Sequence, residues 1–353
     1  MSACRWMFVH LSLAFCLMIF AGCQRVPVQI SRLAPPAYDI EPGRRLAVLP
    51  FGGTFGRDDA GEIVSNALVS HLVPVGYYQV MERAQVKAII DELNFSRTDY
   101  VDPSTAGRLG QMLGADYLVV GTVTAWSVED SSATEFVSEM RQVGNYYDGT
   151  PIMREERIPV PVVNRVATVA ADFRLIHGEN ASIIASSTER ESFRSQARGA
   201  QNIANIPPRE QILSDLAQVV AGRFFSKISA HSVTEGRILF KGKTPQSKQG
   251  VDFARNGLWD MAAQQWNLAV QTRPDDFAPL NNLAVYAETQ GRFDDAESLY
   301  LRALALAPNN QDVQQQLQAV RRVRAETGRA QRLMQGAQRP AGPATAAPPR
   351  LVP

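Results

Sequence analysis

Two stretches in the C-terminal third repeat each other at a fixed offset of 34 residues, and no other feature restricts the fold as tightly. Gly250, Phe253, Gly257, Trp259, Ala262, Trp266, Ala269 and Pro274 recur as Ala284, Ala287, Gly291, Phe293, Ala296, Tyr300, Ala303 and Pro308. A period of this length fits one pair of antiparallel helices, which cannot bury its apolar face alone and must stack on a neighbour. The small residues let helices approach and the aromatics fill the space between them. Gly257 and Gly291 serve the turns within repeats, and each proline ends a second helix.

The pattern resembles tetratricopeptide repeats, placed at about 243–276 and 277–310. Two repeats need a cap, which Asp312 to Ala325 supplies with Val313, Leu317, Val320 and Val323, so an all-α helical-repeat domain is expected over 249–326. The resemblance implies a protein or peptide partner held in a concave groove; packing of so short an array on its own domain or on a copy of it stays open. Arg321, Arg322, Arg324, Arg329, Arg332, Arg339 and Arg350 face only Glu326 in the sequence and read as a solvated basic face. The Arg/Pro/Ala-rich stretch 327–353 reads as a disordered tail.

Cysteine placement is the next constraint. Cys4, Cys16 and Cys23 are the whole complement, so the other 330 residues hold no disulfide, thiolate metal site or cysteine nucleophile. Arg5 precedes an apolar stretch from Trp6 to Phe20, shorter than the roughly 20 residues of a spanning helix, and small residues follow. That is the layout of a signal peptide over residues 1–22. The run Phe20, Ala21, Gly22, Cys23 resembles the bacterial lipobox, with Phe20 where the family prefers leucine. The resemblance implies cleavage before Cys23 and acylation of its thiol, palmitate among the chains. Gln24 after the cysteine implies sorting to the outer membrane, facing the periplasm. Residues 23–43, with Pro27, Pro35, Pro36 and Pro42, then read as a lipid anchor and extended tether.

Between these ends the chain alternates strand and helix patterns over 44–232. Arg45 to Phe51 is a short apolar run ending at Gly52-Gly53, and an apolar helical stripe follows Asp58 and Asp59. Tyr77 to Met81 and Tyr117 to Trp126 read as strands, Ala84 to Leu93 and Thr105 to Leu113 as helices. Val166 to Ile176 and Ser182 to Glu189 form a hairpin about Gly178, and Arg209 to His231 closes the domain as a helix. The segments VLPF (Val48 to Phe51), QVMERAQVKAIIDEL (Gln79 to Leu93), LGADYLVVGTVTAW (Leu113 to Trp126) and FRLIHGENASIIASS (Phe173 to Ser187) together resemble the CsgG-like curli-secretion lipoproteins. The resemblance implies an α/β fold, a mixed sheet packed with helices, in which Glu82, Arg83, Gly114, Ala115 and Asp116 are structural motif residues. Residues 233–248 read as the linker between the two domains.

Secreting members of that family form rings in which each subunit gives two membrane hairpins to a barrel. Such strands need about 9–11 residues with an uncharged lipid face. In the first candidate, Asp130 to Arg165, charges fall on both parities of the return limb at Arg154, Glu156 and Arg157, and Pro151, Pro159 and Pro161 remove donors. The second, Thr188 to Pro208, barely reaches two strands and contains Arg190, Glu191, Arg194 and Arg198. Both inserts are therefore expected to be soluble loops, with the pore left open.

Chemistry is sparse. Lys and Arg number 36 against 35 acidic residues, so nothing favours nucleic acid as a partner. His10, His71, His177 and His231 share no metal-binding spacing, and Gly52 to Arg57 lacks the Gly-Lys-Ser/Thr ending of a phosphate loop. No catalytic residue, metal or cofactor is assigned. The sequence thus points to a non-enzymatic lipoprotein acting in envelope assembly or docking, its repeats holding a protein partner. A curli-type channel and an activator of a peptidoglycan synthase are the rival readings, and homo-oligomerisation stays open.

Overall fold

The structure, a computed structural model, describes residues 25–53, 58–92 and 103–338. In chain order the elements are β1 (Arg25–Ala34), β2 (Arg45–Val48), α1 (Asp58–Val75), β3 (Gln79–Val80), α2 (Arg83–Glu92), α3 (Pro103–Leu113), β4 (Tyr117–Asn145), β5 (Pro151–His177) and β6 (Ile183–Arg198). There follow α4 (Ala200–Ala204), α5 (Arg209–Ile228), β7 (His231–Phe240), α6 (Pro245–Arg255), α7 (Trp259–Thr272), α8 (Phe277–Thr289), α9 (Phe293–Leu306) and α10 (Gln311–Ala337). The described residues divide into two compact units: 36–231 with 332–338, and 25–35 with 232–331.

The first unit is a mixed five-stranded sheet in the order β3-β2-β4-β5-β6. β2 runs parallel to β3 and to β4, whereas β4, β5 and β6 are antiparallel. The apolar run beginning at Leu46 is buried on both sides of the sheet, which is why it shows no alternation. Ala47, Leu49, Leu118 and Val120 pack with Val86, Ile90, Leu109 and Leu113 from α2 and α3. The other side carries Phe173, stacked on Phe224 of α5 at 4.7 Å and edge-on to Phe51 at 5.3 Å. Gly121, opposite Phe173 in the register, makes room for this cluster, since a Cβ there would lie 2.6 Å from the Phe51 ring.

Strand length is where this unit departs from expectation. The insert Asp130 to Arg165 is not a loop: β4 and β5 pair from Tyr117↔His177 to Asn145↔Pro151, with register shifts at Val123/Ala125 and Gln142/Gly144. The second insert is likewise ordered, as β6 to Arg198 and then α4. Fully exposed strands carry no apolar period, so the charges on both parities hid strands rather than excluding them.

The second unit stacks the helix pairs α6/α7 and α8/α9 with α10 as the cap, around one core that includes Val251, Trp266, Leu280, Ala284, Tyr300 and Leu317. Its surprise is a two-stranded sheet of β1 and β7. Residues 25–34 are therefore strand within the stretch read as tether, and 231–240 are strand where a linker was expected. Val26, Ile30, Leu239 and Phe240 belong to the helical core. The cap also runs on to Ala337, so the start of the expected tail is helix. Among the described residues no helix is long and apolar enough to cross a membrane.

Candidate functional site

The groove side of the helical repeats is built from α8 and α10, and it is filled by β7. Asn282 Oδ1 accepts from the Phe240 N–H at 2.9 Å and its Nδ2 donates to the Phe240 carbonyl at 2.7 Å. Earlier in the strand, Gln316 Oε1 accepts from the Ile238 N–H at 2.6 Å, and Asn281 Nδ2 donates to the Ile238 carbonyl at 2.9 Å. Gln316 also donates to Asn281 Oδ1 at 2.8 Å, which fixes both amides. These side chains do for one edge of β7 what a neighbouring strand would do, so its buried backbone groups at Ile238 and Phe240 are paired.

Beneath this ladder lies a charge network. The Arg237 guanidinium donates to both carboxylate oxygens of Glu288, at 3.0 Å and 2.7 Å, and the Tyr300 hydroxyl donates to Glu288 at 2.7 Å. The Arg237 and Glu288 side chains are 4% and 1% exposed, so each charge depends on the other. Burial works against the charged guanidinium, but the bonds to Glu288 outweigh it and the Arg237 pKa rises. Burial also pushes the Tyr300 hydroxyl well above its ordinary value, with Glu288 adding to the effect. Glu235 continues the network to Arg237 at 3.0 Å and to Arg32 of β1 at 2.6 Å. Burial raises the Glu235 pKa, yet Arg32 and Arg237 prevail and hold it below the usual carboxylate range.

The second candidate surface is the β4–β5 arm. β6 stops pairing at Val162↔Arg198, and beyond it β4 and β5 continue as a bare two-stranded ribbon to Asn145 and Pro151. Phe136, Met140 and Met153 are exposed along it, and Tyr146 and the fully exposed Tyr147 lie in the turn. At its base Asp130 clamps Arg165, at 2.7 Å and 2.9 Å, and Arg209 at 2.6 Å, tying both strands to the start of α5. Those two arginines hold the Asp130 carboxyl far below its ordinary value. Neither face of the ribbon is apolar throughout: Glu139 opposes Glu156 and Arg141 opposes Arg154 on one, and Arg157 and Glu155 lie on the other.

The repeat-signature residues fall where spacing put them, as core and turns. Trp266, Tyr300, Ala262, Ala269, Ala284, Ala287, Ala296 and Ala303 are buried, while Phe253, Trp259 and Phe293 pack at the margin of the same core. A Cβ on Gly250 would lie 2.4 Å from Trp266 Nε1, and Gly257 and Gly291 adopt positive φ after their helices. Pro274 and Pro308 sit just past α7 and α9. Glu82 is exposed immediately before α2, and Arg83 opens that helix. Gly114, at φ 62°, ends α3, and Ala115 N–H donates back to the Gly110 carbonyl at 2.9 Å. Asp116 accepts from the Arg45 N–H at 2.8 Å and joins the starts of β2 and β4. Cys23 and the lipobox residues Phe20, Ala21 and Gly22 lie outside the described residues.

Other expectations change. Arg321 reaches Glu297 at 2.7 Å and Arg324 reaches Asp294 at 2.6 Å, while Glu326 pairs with Arg32, so the basic face of α10 is partly neutralised. Of the described histidines, His71 Nε2 contacts the Gln218 carbonyl at 3.1 Å and His231 Nδ1 the Ser229 carbonyl at 3.0 Å, and His10 lies outside the described residues. Among the described residues no three His, Cys, Asp or Glu converge as metal ligands would. The groove set Arg237, Asn281, Asn282, Glu288 and Gln316 went unread in the sequence. Its one signal was Asn281-Asn282 inside a small-residue, apolar helix.

Residues 49–207 match the family of the curli production assembly/transport component CsgG, and residues 277–310 match the tetratricopeptide repeat. The chain thus joins a CsgG-like domain to a tetratricopeptide region. No curated protein matches it. Among solved structures, a PelC dodecamer from Paraburkholderia phytofirmans is 15% identical, covers 57% of this chain and 96% of its own, and has a TM-score of 0.30. Lipoprotein GNA1162 from Neisseria meningitidis is 18% identical over 51% of this chain and 97% of its own, with a TM-score of 0.30. The LpoB C-terminal domain from Salmonella enterica is 15% identical over 43% and 84%, with a TM-score of 0.24.

Proposed function

We propose that this chain is a non-enzymatic envelope lipoprotein, anchored through Cys23 to the periplasmic face of the outer membrane, whose CsgG-like domain docks onto other assembly components through the β4–β5 arm. The bare ribbon carries this reading. A two-stranded hairpin is only marginally stable in water, and its open edges invite a further strand or a covering surface. Charges on both of its faces favour a protein cover over lipid, because an arginine at the bilayer midplane costs about 2–4 kcal/mol on a barrel's lipid face. A protein partner on the helical repeats would use surfaces outside the groove, which β7 occupies.

A second reading, a subunit of a curli-type secretion ring, draws support from the same ribbon, since its unflanked part exceeds the length a membrane strand needs. One experiment separates them: the particle mass of the lipidated protein in mild detergent, by light scattering, with and without the arm. Ala133 and Val162 face each other, so residues 134–161 can be replaced by an Asn-Gly turn that keeps the register of the remaining sheet and removes only the Arg198–Glu135 ion pair and the Gly199 N–H bond to Pro161 at the end of β6. The docking reading expects a monomer or dimer in both cases, with loss of partner cross-links in the shortened protein. A large ring that disappears with the arm would favour the channel, and undiminished partner cross-linking without the arm would overturn docking through it.

A further inference from the structure

A tether of 20 residues would let the folded chain float far from its lipid, but the structure leaves no room for one. Gln24 alone separates Cys23 from Arg25, the first residue of β1, so the acylated cysteine lies at most about 7 Å along the chain from an ordered strand. That strand belongs to the helical-repeat unit: Val26 and Ile30 are buried in its core. Arg32 is tied to Glu235 and Glu326, and the Leu33 carbonyl accepts from the Thr327 hydroxyl at 3.0 Å. At the other end of the strand Arg25 meets Asp312 at 2.7 Å. The strand and α10 therefore run side by side in the same direction, from an anchor end at Arg25 and Asp312 to a far end at Leu33 and Thr327.

We infer that the helical-repeat unit is the membrane seat of this protein: its anchor end, with the turn 307–311, rests on the bilayer surface. This rests on the reading of Cys23 as acylated. The surface it offers carries the mutually neutralising Arg25–Asp312 pair beside Pro308 and Asn309, both exposed before Gln311, and suits headgroups of either charge. A ten-residue strand spans about 33 Å, so with the strand upright on this seat the far end stands roughly 30 Å from the membrane. The groove that would otherwise grip a foreign peptide grips the sheet through which the anchor is attached.

The test uses the full, acylated chain in vesicles of phosphatidylethanolamine and phosphatidylglycerol with an energy acceptor on the headgroups. Cys4 and Cys16 leave with the leader and Cys23 is acylated, so a single donor can be placed through Asn309→Cys or Ala325→Cys, both exposed positions. Energy transfer from position 309 should exceed that from 325 several-fold. Ten Gly/Ser residues inserted between Gln24 and Arg25 should lower the transfer from 309 and erase the difference. Equal transfer from the two positions in a chain whose intact mass shows the acyl chains overturns the seat alone. An intact mass without acyl chains overturns the anchor reading and the seat with it.

Discussion

The contact between Trp266 and Gly250 shows how much a single position can determine. The indole is wholly buried, its N–H donates to the Ser247 carbonyl, and only glycine leaves space for it on α6. Trp266→Ala should cost about 3–5 kcal/mol in urea unfolding, the usual range for removing a large aromatic from a core. Partner loss in that variant would then report unfolding rather than a binding role. Glu288 is a sharper probe of the groove. Glu288→Gln leaves the buried Arg237 charge with Glu235 alone and should destabilise by about 3 kcal/mol, the low end for breaking a buried pair, whereas the double variant Arg237→Met, Glu288→Leu should unfold at higher urea than the single one. The residues that set core volume were legible because a repeat displays them twice. Those that hold β7 were not, because Asn282 and Gln316 acquire their role only when a strand distant in sequence arrives opposite them.

Elements were legible in proportion to how far they are buried on one side. Tyr117 to Trp126 was read as strand because valine packs there, and the remainder of β4 was missed because exposed residues beyond it follow no period. β1 was obscured by Pro27 and by its separation from β7 along the chain. The charges that link elements also set a pH dependence. Asp130 and Glu235 both have folded pKa values below their ordinary ones, so the stability they confer is complete above the ordinary carboxylate range and is lost as pH falls through the folded values. The melting temperature should therefore fall progressively below about pH 5, and Asp130→Asn should flatten part of that slope. A melting temperature unchanged between pH 7 and pH 4 in the unmodified protein, with an unaltered slope in the variant, would contradict this account.

On the scale of the whole molecule, residues 36–231 are an insertion: they lie between two strands that pair with each other. Replacing residues 36–231 by a flexible linker of about 20 residues should leave a helical-repeat unit that still unfolds cooperatively in urea. Cutting the chain after Ala34 should lower its stability instead. The order of segments along the chain is not the order of its units, so β1 resembles a tether until its pairing with β7 is seen. The insertion also sets a clock. Arg32 and Glu235 are 203 residues apart, and at about 5–20 residues per second synthesis needs on the order of 10–40 s to pass from one to the other. During that interval β1 has no partner strand, and a nascent chain interrupted before Phe240 presents an open β-edge there, the portion of any truncated product on which a quality-control protease would find extended backbone.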